Sequence, residues 1–261
     1  MGYYKMSYII AEQITKTFGN ENSLVTAVDD ISFKIHEGEF VAVMGESGAG
    51  KSTLLGIMGA MNAPTSGRLL VDDIDVYGLH QERQADFRRE FLGFIFQSFH
   101  LVPYLTVIEN VMLPLAVIKM ESGKKREMAK DALDQVGLAD KTNRLPNQIS
   151  GGESERVAVA RAIVNEPPVL LADEPTGNLD KKNTQEIMEL LDQLNRDGMT
   201  IVMVTHSQDC AQHAKRIIQI SDGCLIADTV IPSGVIEMAK EKRNRTLVMN
   251  QDATVLASGH S

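Results

Sequence analysis

The chain has 261 residues and a formal net charge of −9, a length that can bury one large core. The acidic balance argues against a general nucleic-acid binder, which usually carries a basic face. Its two cysteines, Cys210 and Cys224, are too few and too far apart for a zinc ribbon or a disulfide framework, so we interpret them as free thiols.

The sequence offers no candidate for a membrane anchor. No apolar run reaches the ~18 residues that a spanning helix needs, and the longest, residues 111–118, contains Pro114. The N-terminus lacks the basic start, apolar stretch and small-residue cleavage site of a signal peptide. We therefore expect a cytoplasmic protein with no direct membrane insertion, so that any role at a membrane requires another polypeptide to supply the membrane part.

The first predicted elements are strands that lead into a glycine-rich turn. Ile31, Phe33 and Ile35 alternate with polar residues, whereas residues 40–44 are apolar on both faces, as in a buried strand. A glycine-rich loop follows, and then a helix that begins near Lys51. Strand, glycine loop and helix in this order are typical of the opening of an α/β nucleotide-binding fold.

Residues 45–52 read GESGAGKS and match the pattern G-x-x-x-x-G-K-[ST]. Glycines let the backbone curl so that its N–H groups point at phosphate oxygens, and the following helix adds its positive N-terminal end. Lys51 is expected to reach the β- and γ-phosphates, and Ser52 to offer its hydroxyl to Mg²⁺. The motif thus predicts an ATP and Mg²⁺ site, with nucleotide contacts at Gly45, Glu46, Ser47, Gly48, Ala49, Gly50, Lys51, Ser52 and Thr53.

The middle of the chain predicts a different organisation. Residues from about 86 to 165 have few β-branched runs and several helical stretches, among them residues 124–136, and we interpret them as a helical insertion. From residue 166 an alternation of strand and helix returns, with strands at 169–172, 200–204, 217–220 and 224–228 and a helix at 181–195. Beyond about residue 232 the pattern weakens: residues 237–245 are compatible with a charged helix, and the last ten residues with disorder.

An apolar strand, residues 169–172, ends in two acids. A carboxylate at that position, Asp173, can hold the Mg²⁺ that Ser52 also contacts. The next residue, Glu174, points elsewhere and can polarise a water opposite the γ-phosphate, as a general base does. Taken alone, the pair could equally be an exposed acidic turn; together with the phosphate loop it favours hydrolysis chemistry.

Between these motifs, residues 149–162 read ISGGESERVAVARA. This segment resembles the signature sequence of ABC ATPases and the helix that follows it, and the flanking motifs stand in the order of that family. Phe18 resembles the aromatic residue that stacks on adenine, and Gln97 the glutamine that senses Mg²⁺. Residues 178–180 resemble the D-loop, and His206 resembles the switch histidine. The resemblance covers roughly residues 7–230.

The resemblance implies a P-loop ABC ATPase fold of the α/β class. It implies a core at residues 7–85 and 166–231, built from a RecA-like mixed sheet and N-terminal antiparallel strands. A helical subdomain would occupy about residues 86–165, so that residues 1–231 form one domain and residues 232–261 a C-terminal tail.

The resemblance also implies a homodimer that sandwiches two ATP molecules. In this arrangement each copy completes the other's γ-phosphate site with its signature, so that the second set of nucleotide contacts is Ser150, Gly151, Gly152, Glu153 and Asp180. The implied catalytic residues are Glu174, His206, Lys51 and Gln97, and the implied metal ligands are Ser52, Gln97 and Asp173.

The signature departs from the commonest family version at two positions. Glu153 stands where glutamine is frequent, and Ile149 replaces leucine. A carboxylate in the first helical turn suits the helix dipole, but it would be repelled by a triphosphate if it faced one. We therefore expect Glu153 to face the ribose or the solvent and not to disable the site.

Residues 94–103 and 176–180 resemble one branch of the family, which includes macrolide exporters, lipoprotein-releasing complexes, antimicrobial-peptide transporters and a cell-division ATPase. The resemblance implies a separate permease with an extracytoplasmic domain, which would hold this chain at the cytoplasmic face of the plasma membrane. It also implies a groove beside the glutamine loop for the permease, with candidate contacts at Phe96, Phe99, Leu101 and Pro103. Internal packing of the helical subdomain explains the same four residues equally well.

Four other functions use a similar ATPase. ABC ATPases of DNA repair usually insert long coiled coils or zinc modules, and ribosomal ABC factors carry two cassettes; neither feature is visible in this sequence. Importer ATPases share most of the motifs but often carry a C-terminal regulatory domain, for which the tail is too short. A regulator of the cell envelope, in which hydrolysis signals without transport, stays open as an alternative.

Overall fold

Two sheets form the framework of the computed structural model, which describes residues 7–20 and 23–232. One is antiparallel, in the order β2-β1-β4-β5, and the other has six strands in the order β10-β9-β3-β8-β7-β6. The antiparallel sheet consists of β1 (Ser7–Phe18), β2 (Val25–His36), β4 (Ser66–Val71) and β5 (Ile74–Asp75). The six-stranded sheet consists of β3 (Phe40–Met44), β6 (Leu92–Ile95), β7 (Val169–Asp173), β8 (Thr200–Val204), β9 (Arg216–Ser221) and β10 (Cys224–Val230).

The six-stranded sheet is mixed, because its neighbouring strands are parallel except for the hairpin of β9 and β10. The predicted mixed sheet with antiparallel N-terminal strands is therefore confirmed. The helices are α1 (Lys51–Met58), α2 (Gln81–Phe91), α3 (Val107–Met112), α4 (Ser122–Gln135), α5 (Gly151–Ile163), α6 (Lys181–Arg196) and α7 (Gln208–Ala211).

The stretch predicted to be helical, residues 86–165, contains one strand of the six-stranded sheet, so the prediction was wrong for residues 92–95. β6 pairs with β7, with Leu92 opposite Val169 and Ile95 opposite Ala172. Four residues that include a glycine give too little alternation to indicate a strand, and tertiary pairing decides their conformation. α2 precedes this strand, and α3, α4 and α5 pack together after it. The division into core and helical subdomain stays a prediction.

Alternate residues of the central strands enter two separate clusters of buried side chains. In β8, for example, Ile201 and Met203 pack with α3, α4, α5 and α6, whereas Val202 and Val204 pack with α1 and the antiparallel sheet. Full burial of one such side chain is worth about 1.5–3 kcal/mol. The sheet is thus covered on both faces, and its polar residues gather beyond the carboxyl ends of β3, β7 and β8.

Further predictions concern membrane-spanning helices, the apolar run at residues 111–118 and the C-terminal residues. In the described part of the chain no helix is long and apolar enough to cross a membrane. The run 111–118 is divided between the end of α3 and a 3₁₀ turn at Leu113–Leu115. The predicted charged helix at 237–245 and the disordered last ten residues lie outside the described residues.

Candidate functional site

The phosphate loop lies between β3 and α1, in the predicted order of strand, loop and helix. Gly50 has a φ of +98°, and a Cβ at this position would lie 2.0 Å from the carbonyl oxygen of Ala27 in β2. Only glycine fits there, because both the backbone conformation and the space exclude a side chain. The loop is thereby held against the antiparallel sheet, with the N-terminus of α1 directed at it.

Lys51, the first residue of α1, is 5% exposed. Its Nζ donates to the carbonyl oxygens of Gly45 at 2.9 Å and Glu46 at 2.7 Å, so the ammonium group lies inside the loop. Burial lowers the pKa of Lys51, and the nearby carboxylates of Glu174 and Asp173 oppose this shift. A buried cation enclosed by a loop of backbone groups is suited to bind an anion such as phosphate.

The hydroxyl of Ser52 donates to Oδ1 of Asp173 at 3.2 Å, although the two residues are 121 positions apart. Asp173 ends β7, and the sheet order brings that end beside the start of α1. Burial raises the pKa of Asp173, and the Ser52 hydrogen bond and Lys51 oppose the shift. A hydroxyl and a carboxylate that face each other fit Mg²⁺, which takes few protein ligands and also binds substrate phosphates.

Among residues 7–20 and 23–232, no group of three or more histidine, cysteine, aspartate or glutamate side chains could hold a metal by itself.

Glu174 adopts a φ of +50°, and its N–H donates to the carbonyl of Val204 at 3.0 Å. Oε1 lies 3.1 Å from Nε2 of His206, but the hydrogen-bond geometry is poor, and this buried oxygen has no donor in the described structure. Burial raises the pKa of Glu174, and His206 opposes the shift. A buried carboxylate oxygen without a donor is placed to accept a proton from water.

His206 follows β8 and lies between Glu174 and Lys51. Its Nε2 is 3.1 Å from Oε1 of Glu174 and 3.4 Å from Nζ of Lys51. The side chain is 49% exposed, so the imidazole can reach a ligand while it stays beside both groups.

Gln97 is exposed and follows β6 by two residues. Its carbonyl accepts a hydrogen bond from Nδ2 of Asn178 at 3.0 Å, which ties the glutamine loop to the turn after Glu174. Phe18 ends β1 opposite Val25, and its ring is 46% exposed, with Nζ of Lys16 at 5.1 Å from the ring centroid. An exposed aromatic ring can stack on a nucleotide base.

Ser150 caps α5, and Glu153 reaches back to it. The N–H of Glu153 donates to Oγ of Ser150 at 3.2 Å, and the N–H of Ser150 donates to Oε2 of Glu153 at 2.7 Å. The third helical position directs a glutamate back to the cap, so this capping box holds the Glu153 carboxylate at the start of α5. Its orientation toward a ribose stays a prediction. Its carboxylate also lies 3.6 Å from Nζ of Lys141, and the Ser150 backbone hydrogen bond lowers the pKa of Glu153.

Known proteins resemble this chain in sequence and in fold. A family model described as ABC transporter matches residues 28–177. An uncharacterized ABC transporter ATP-binding protein of Methanocaldococcus jannaschii, MJ1508, is 44% identical over 84% of this chain and 97% of its own length. The macrolide export ATP-binding/permease protein MacB of Bartonella henselae is 43% identical over 85% of this chain. The chain spans about a third of that protein, 34% of its length.

A solved structure supports the same family. The dimeric ATP-binding cassette MJ0796, in a post-hydrolysis state bound to ADP and Pi, superposes with a TM-score of 0.79 at 40% identity, covering 86% of this chain and 99% of that one. The chain belongs to the ABC transporter family. It is an ABC-type ATP-binding domain and an ATPase.

The structure brings together most of the residues that the sequence singles out for the hydrolysis site of this ABC domain. Lys51, Ser52, Asp173, Glu174 and His206 are linked by the short distances given above, and Asn178 holds Gln97 nearby. The signature residues make no described hydrogen bond with this group. They lie at the start of α5, where Gly152 adjoins the side chain of Asn183 in α6 instead.

Asp180, expected among the nucleotide contacts, caps α6. Oδ1 accepts from the N–H of Asn183 and Oδ2 from its Nδ2, both at 2.8 Å, and the backbone bond lowers the pKa of Asp180. Asn183 also adjoins the signature, because a Cβ on Gly152 would lie 1.9 Å from its Oδ1. Sequence reasoning missed Asn183; the only signal was an asparagine three positions after a capping aspartate.

The four candidate permease contacts have two competing explanations, contact with a permease and internal packing of the helical subdomain. Phe96 lines a surface groove. Leu101 packs against the buried cluster around α3 to α5, and the Phe99 carbonyl accepts a hydrogen bond from Arg161 at 2.7 Å. Pro103 is exposed. Internal packing thus accounts for Leu101, whereas the Phe96 ring packs against Phe94 and His100, at centroid distances of 4.4 and 5.2 Å, and also faces the groove.

Proposed function

We propose that the chain hydrolyses ATP as one half of a head-to-tail homodimer. Ser150, Gly151 and Gly152 of each copy would complete the γ-phosphate site of the other, because a capped helix start presents a hydroxyl and backbone N–H groups to an anion. Two facts support this arrangement. The similar cassette MJ0796 is dimeric, and the capping box fixes the start of α5 in one conformation.

Glu174 is the proposed general base, and its buried Oε1 without a donor is the observation that carries the proposal. Water bound there would give its proton to Oε1 while the water oxygen attacks the γ-phosphorus and ADP leaves. Lys51 would bind the β- and γ-phosphates, and His206 would steady the γ-phosphate from its place between Glu174 and Lys51. Phe18 would stack on adenine. Ser52, Asp173 and Gln97 would hold Mg²⁺, which neutralises charge on the phosphate oxygens.

Glu174→Gln tests the base. The amide keeps the shape but cannot accept a proton, so turnover should fall by roughly 10²–10⁴-fold while ATP binding survives. Phosphate release and binding of a fluorescent ATP analogue measure the two properties, and gel filtration with ATP should show a trapped dimer. Glu166→Gln removes an exposed acid outside the site and serves as the matched control. Near-normal hydrolysis in Glu174→Gln would exclude this base.

We further propose that the dimer drives a membrane-spanning permease with an extracytoplasmic domain, in efflux, lipoprotein release or transmission of force. The MacB relatives are named ATP-binding/permease proteins, and this chain aligns with a third of their length. That alignment supports a permease partner for the cassette, which would then work at the cytoplasmic face of the membrane. The permease would sit in the groove that Phe96 lines.

The trapped Glu174→Gln dimer offers a way to find the partner. The tagged variant is expressed in the native host with ATP, membranes are extracted in mild detergent, and the proteins that co-purify are identified. We expect a multi-spanning protein with a large extracytoplasmic domain. DNA, ribosomes or a soluble protein in its place would leave the ATPase assignment intact and refute the membrane machine.

A further inference from the structure

Phe18, the residue proposed to stack on adenine, lies at the end of β1 beside the turn of the β1–β2 hairpin. It is opposite Val25, two residues before Ala27, whose carbonyl oxygen is the atom that a Cβ on Gly50 of the phosphate loop would meet. Two strand residues span about 7 Å, so the pairing of the hairpin places the ring near the phosphate loop. The side chain is 46% exposed and keeps one orientation only if a neighbour holds it.

Lys16 is the neighbour that holds this ring. Its Nζ lies over the Phe18 ring at 5.1 Å from the centroid, within the roughly 6 Å over which an aromatic face attracts a cation. The same ammonium group donates a hydrogen bond of 2.7 Å to the carbonyl oxygen of Ala63. The backbone thus fixes the position of the cation, and the cation occupies one face of the ring.

Ala63 lies in the turn between α1 and β4, and this turn is bonded to β1 on both sides of Lys16. The N–H of Thr65 donates to the carbonyl of Thr15 at 2.7 Å, and the N–H of Thr17 donates to Oγ1 of Thr65 at 3.0 Å. The carbonyl that holds the lysine is therefore itself attached to the strand that carries the aromatic ring. The cation and the ring keep their relative positions because they share this anchor.

A cation over one face of an aromatic ring leaves the other face for a stacked base. The hydrogen bond to Ala63 keeps the ammonium group of Lys16 on its own face of the ring. A ring held in this way loses less freedom when a ligand binds, and preorganisation of this kind increases affinity. The arrangement therefore selects the side from which a base can approach Phe18.

We propose that Lys16 is a positioning residue for the nucleotide base: its ammonium group, fixed on the Ala63 carbonyl, covers one face of Phe18, so that adenine stacks on the other face. The inference rests on the proposed function, in which Phe18 binds adenine. Because Lys16 acts through the ring, it contributes to the affinity for ATP and not to the chemical step.

Lys16→Met tests the role of the charge, because methionine keeps an unbranched side chain and lacks the ammonium group. The KM for ATP and the Kd of a ribose-labelled fluorescent ATP analogue should each rise about 3- to 10-fold, whereas kcat at saturating ATP should stay near that of wild type. Lys16→Arg keeps a cation that can lie over the ring and should bind ATP more tightly than Lys16→Met. Lys34→Met, at an exposed lysine of β2, is the matched control. Thermal melts establish that each variant is folded.

A double change shows whether the lysine acts through the ring. Phe18→Ala should raise the KM for ATP, and adding Lys16→Met should raise it no further. If Phe18→Ala binds ATP as wild type does, the proposed adenine contact fails and this inference fails with it. If Phe18→Ala binds weakly, the stacking stands, and the role of Lys16 is refuted by any of four results: Lys16→Met binds as wild type does, it also lowers kcat, its effect adds fully to that of Phe18→Ala, or Lys16→Arg binds no better than Lys16→Met.

Discussion

The hydrolysis end of the molecule, where β3, β7 and β8 end, and the signature end, where α5 and α6 begin, differ in how fully their polar groups are paired. At the hydrolysis end, Oε1 of Glu174 has no donor, and burial shifts the pKa of Lys51 down and those of Asp173 and Glu174 up. At the signature end, backbone hydrogen bonds lower the pKa values of Glu153 and Asp180.

The difference indicates two roles. Burial destabilises the charges of the hydrolysis end, so bound phosphate and metal would relieve an existing cost there. The capping residues of the signature end are already satisfied by their own helix starts, where an anion would meet a fixed geometry. This contrast of reactive groups on one surface and paired caps on another is what the proposed head-to-tail dimer requires.

The largest effect we predict in testing this comparison comes from His206→Ala. Loss of the imidazole that lies between Glu174 and Lys51 removes one group proposed to steady the transferring phosphate, so kcat should fall by about 10²–10³-fold. The KM for ATP should change little, because Lys51 and the loop keep the ground-state contacts. Steady-state phosphate release measures both parameters, and His80→Ala, at an exposed histidine before α2, is the control. An unchanged kcat would remove His206 from the mechanism.

The next prediction concerns the unpaired acid of the signature helix. Glu155 is 1% exposed, its Oε1 has no hydrogen-bond partner, and burial raises its pKa to about 8. Between its ordinary pKa and about 8 the native state keeps a proton that the unfolded state releases, so stability falls as pH rises through this window, by an order of a few kcal/mol.

Glu155→Gln mimics the neutral acid and removes this pH dependence. The free energy of unfolding of the variant, relative to wild type, should therefore rise from pH 5 to pH 9 in urea titrations. A constant difference between the two proteins across this range would show that Glu155 does not titrate as proposed.

A smaller effect is expected where the start of α5 meets the start of α6. In Gly152→Ala the new methyl group would lie 1.9 Å from Oδ1 of Asn183, so Asn183 must move and lose its bond to Asp180. Such overpacking costs about 1–3 kcal/mol, measured by urea denaturation. Adding Asn183→Ala should restore the stability of Gly152→Ala. If Gly152→Ala unfolds as wild type does, the close contact between Gly152 and Asn183 is not important for stability.

The sequence predicts the hydrolysis end better than the rest of the molecule. The phosphate loop and the Asp173–Glu174 pair are contiguous motifs between apolar strands, so their residue types alone indicate where they lie. Strand β6 has only four residues. The contacts of Arg88 with Ala60 and of Arg161 with Phe99 join residues 28 and 62 positions apart. Pairings of this kind follow from tertiary packing, which no local pattern in the sequence encodes.

The smallest effect is predicted for Glu153→Gln, which tests whether the signature end depends on its negative charge. Glutamine in the third helical position can accept the Ser150 N–H as well as glutamate does. The variant loses the charge that favours the helix N-terminus and the half-exposed pair with Lys141, together worth less than about 1 kcal/mol. ATP turnover should stay close to that of wild type.

The pH dependence of stability in Glu153→Gln separates the contribution of the capping hydrogen bond from that of the carboxylate charge. Because hydrogen bonds lower the pKa of Glu153, its contribution to stability is present above the ordinary glutamate pKa and is lost as pH falls through the lowered value. Wild type and variant should therefore converge in stability on acidification. A large gain in turnover would show instead that the carboxylate repels the nucleotide of the opposing copy, so that the signature end is not the neutral receptor that its paired geometry indicates.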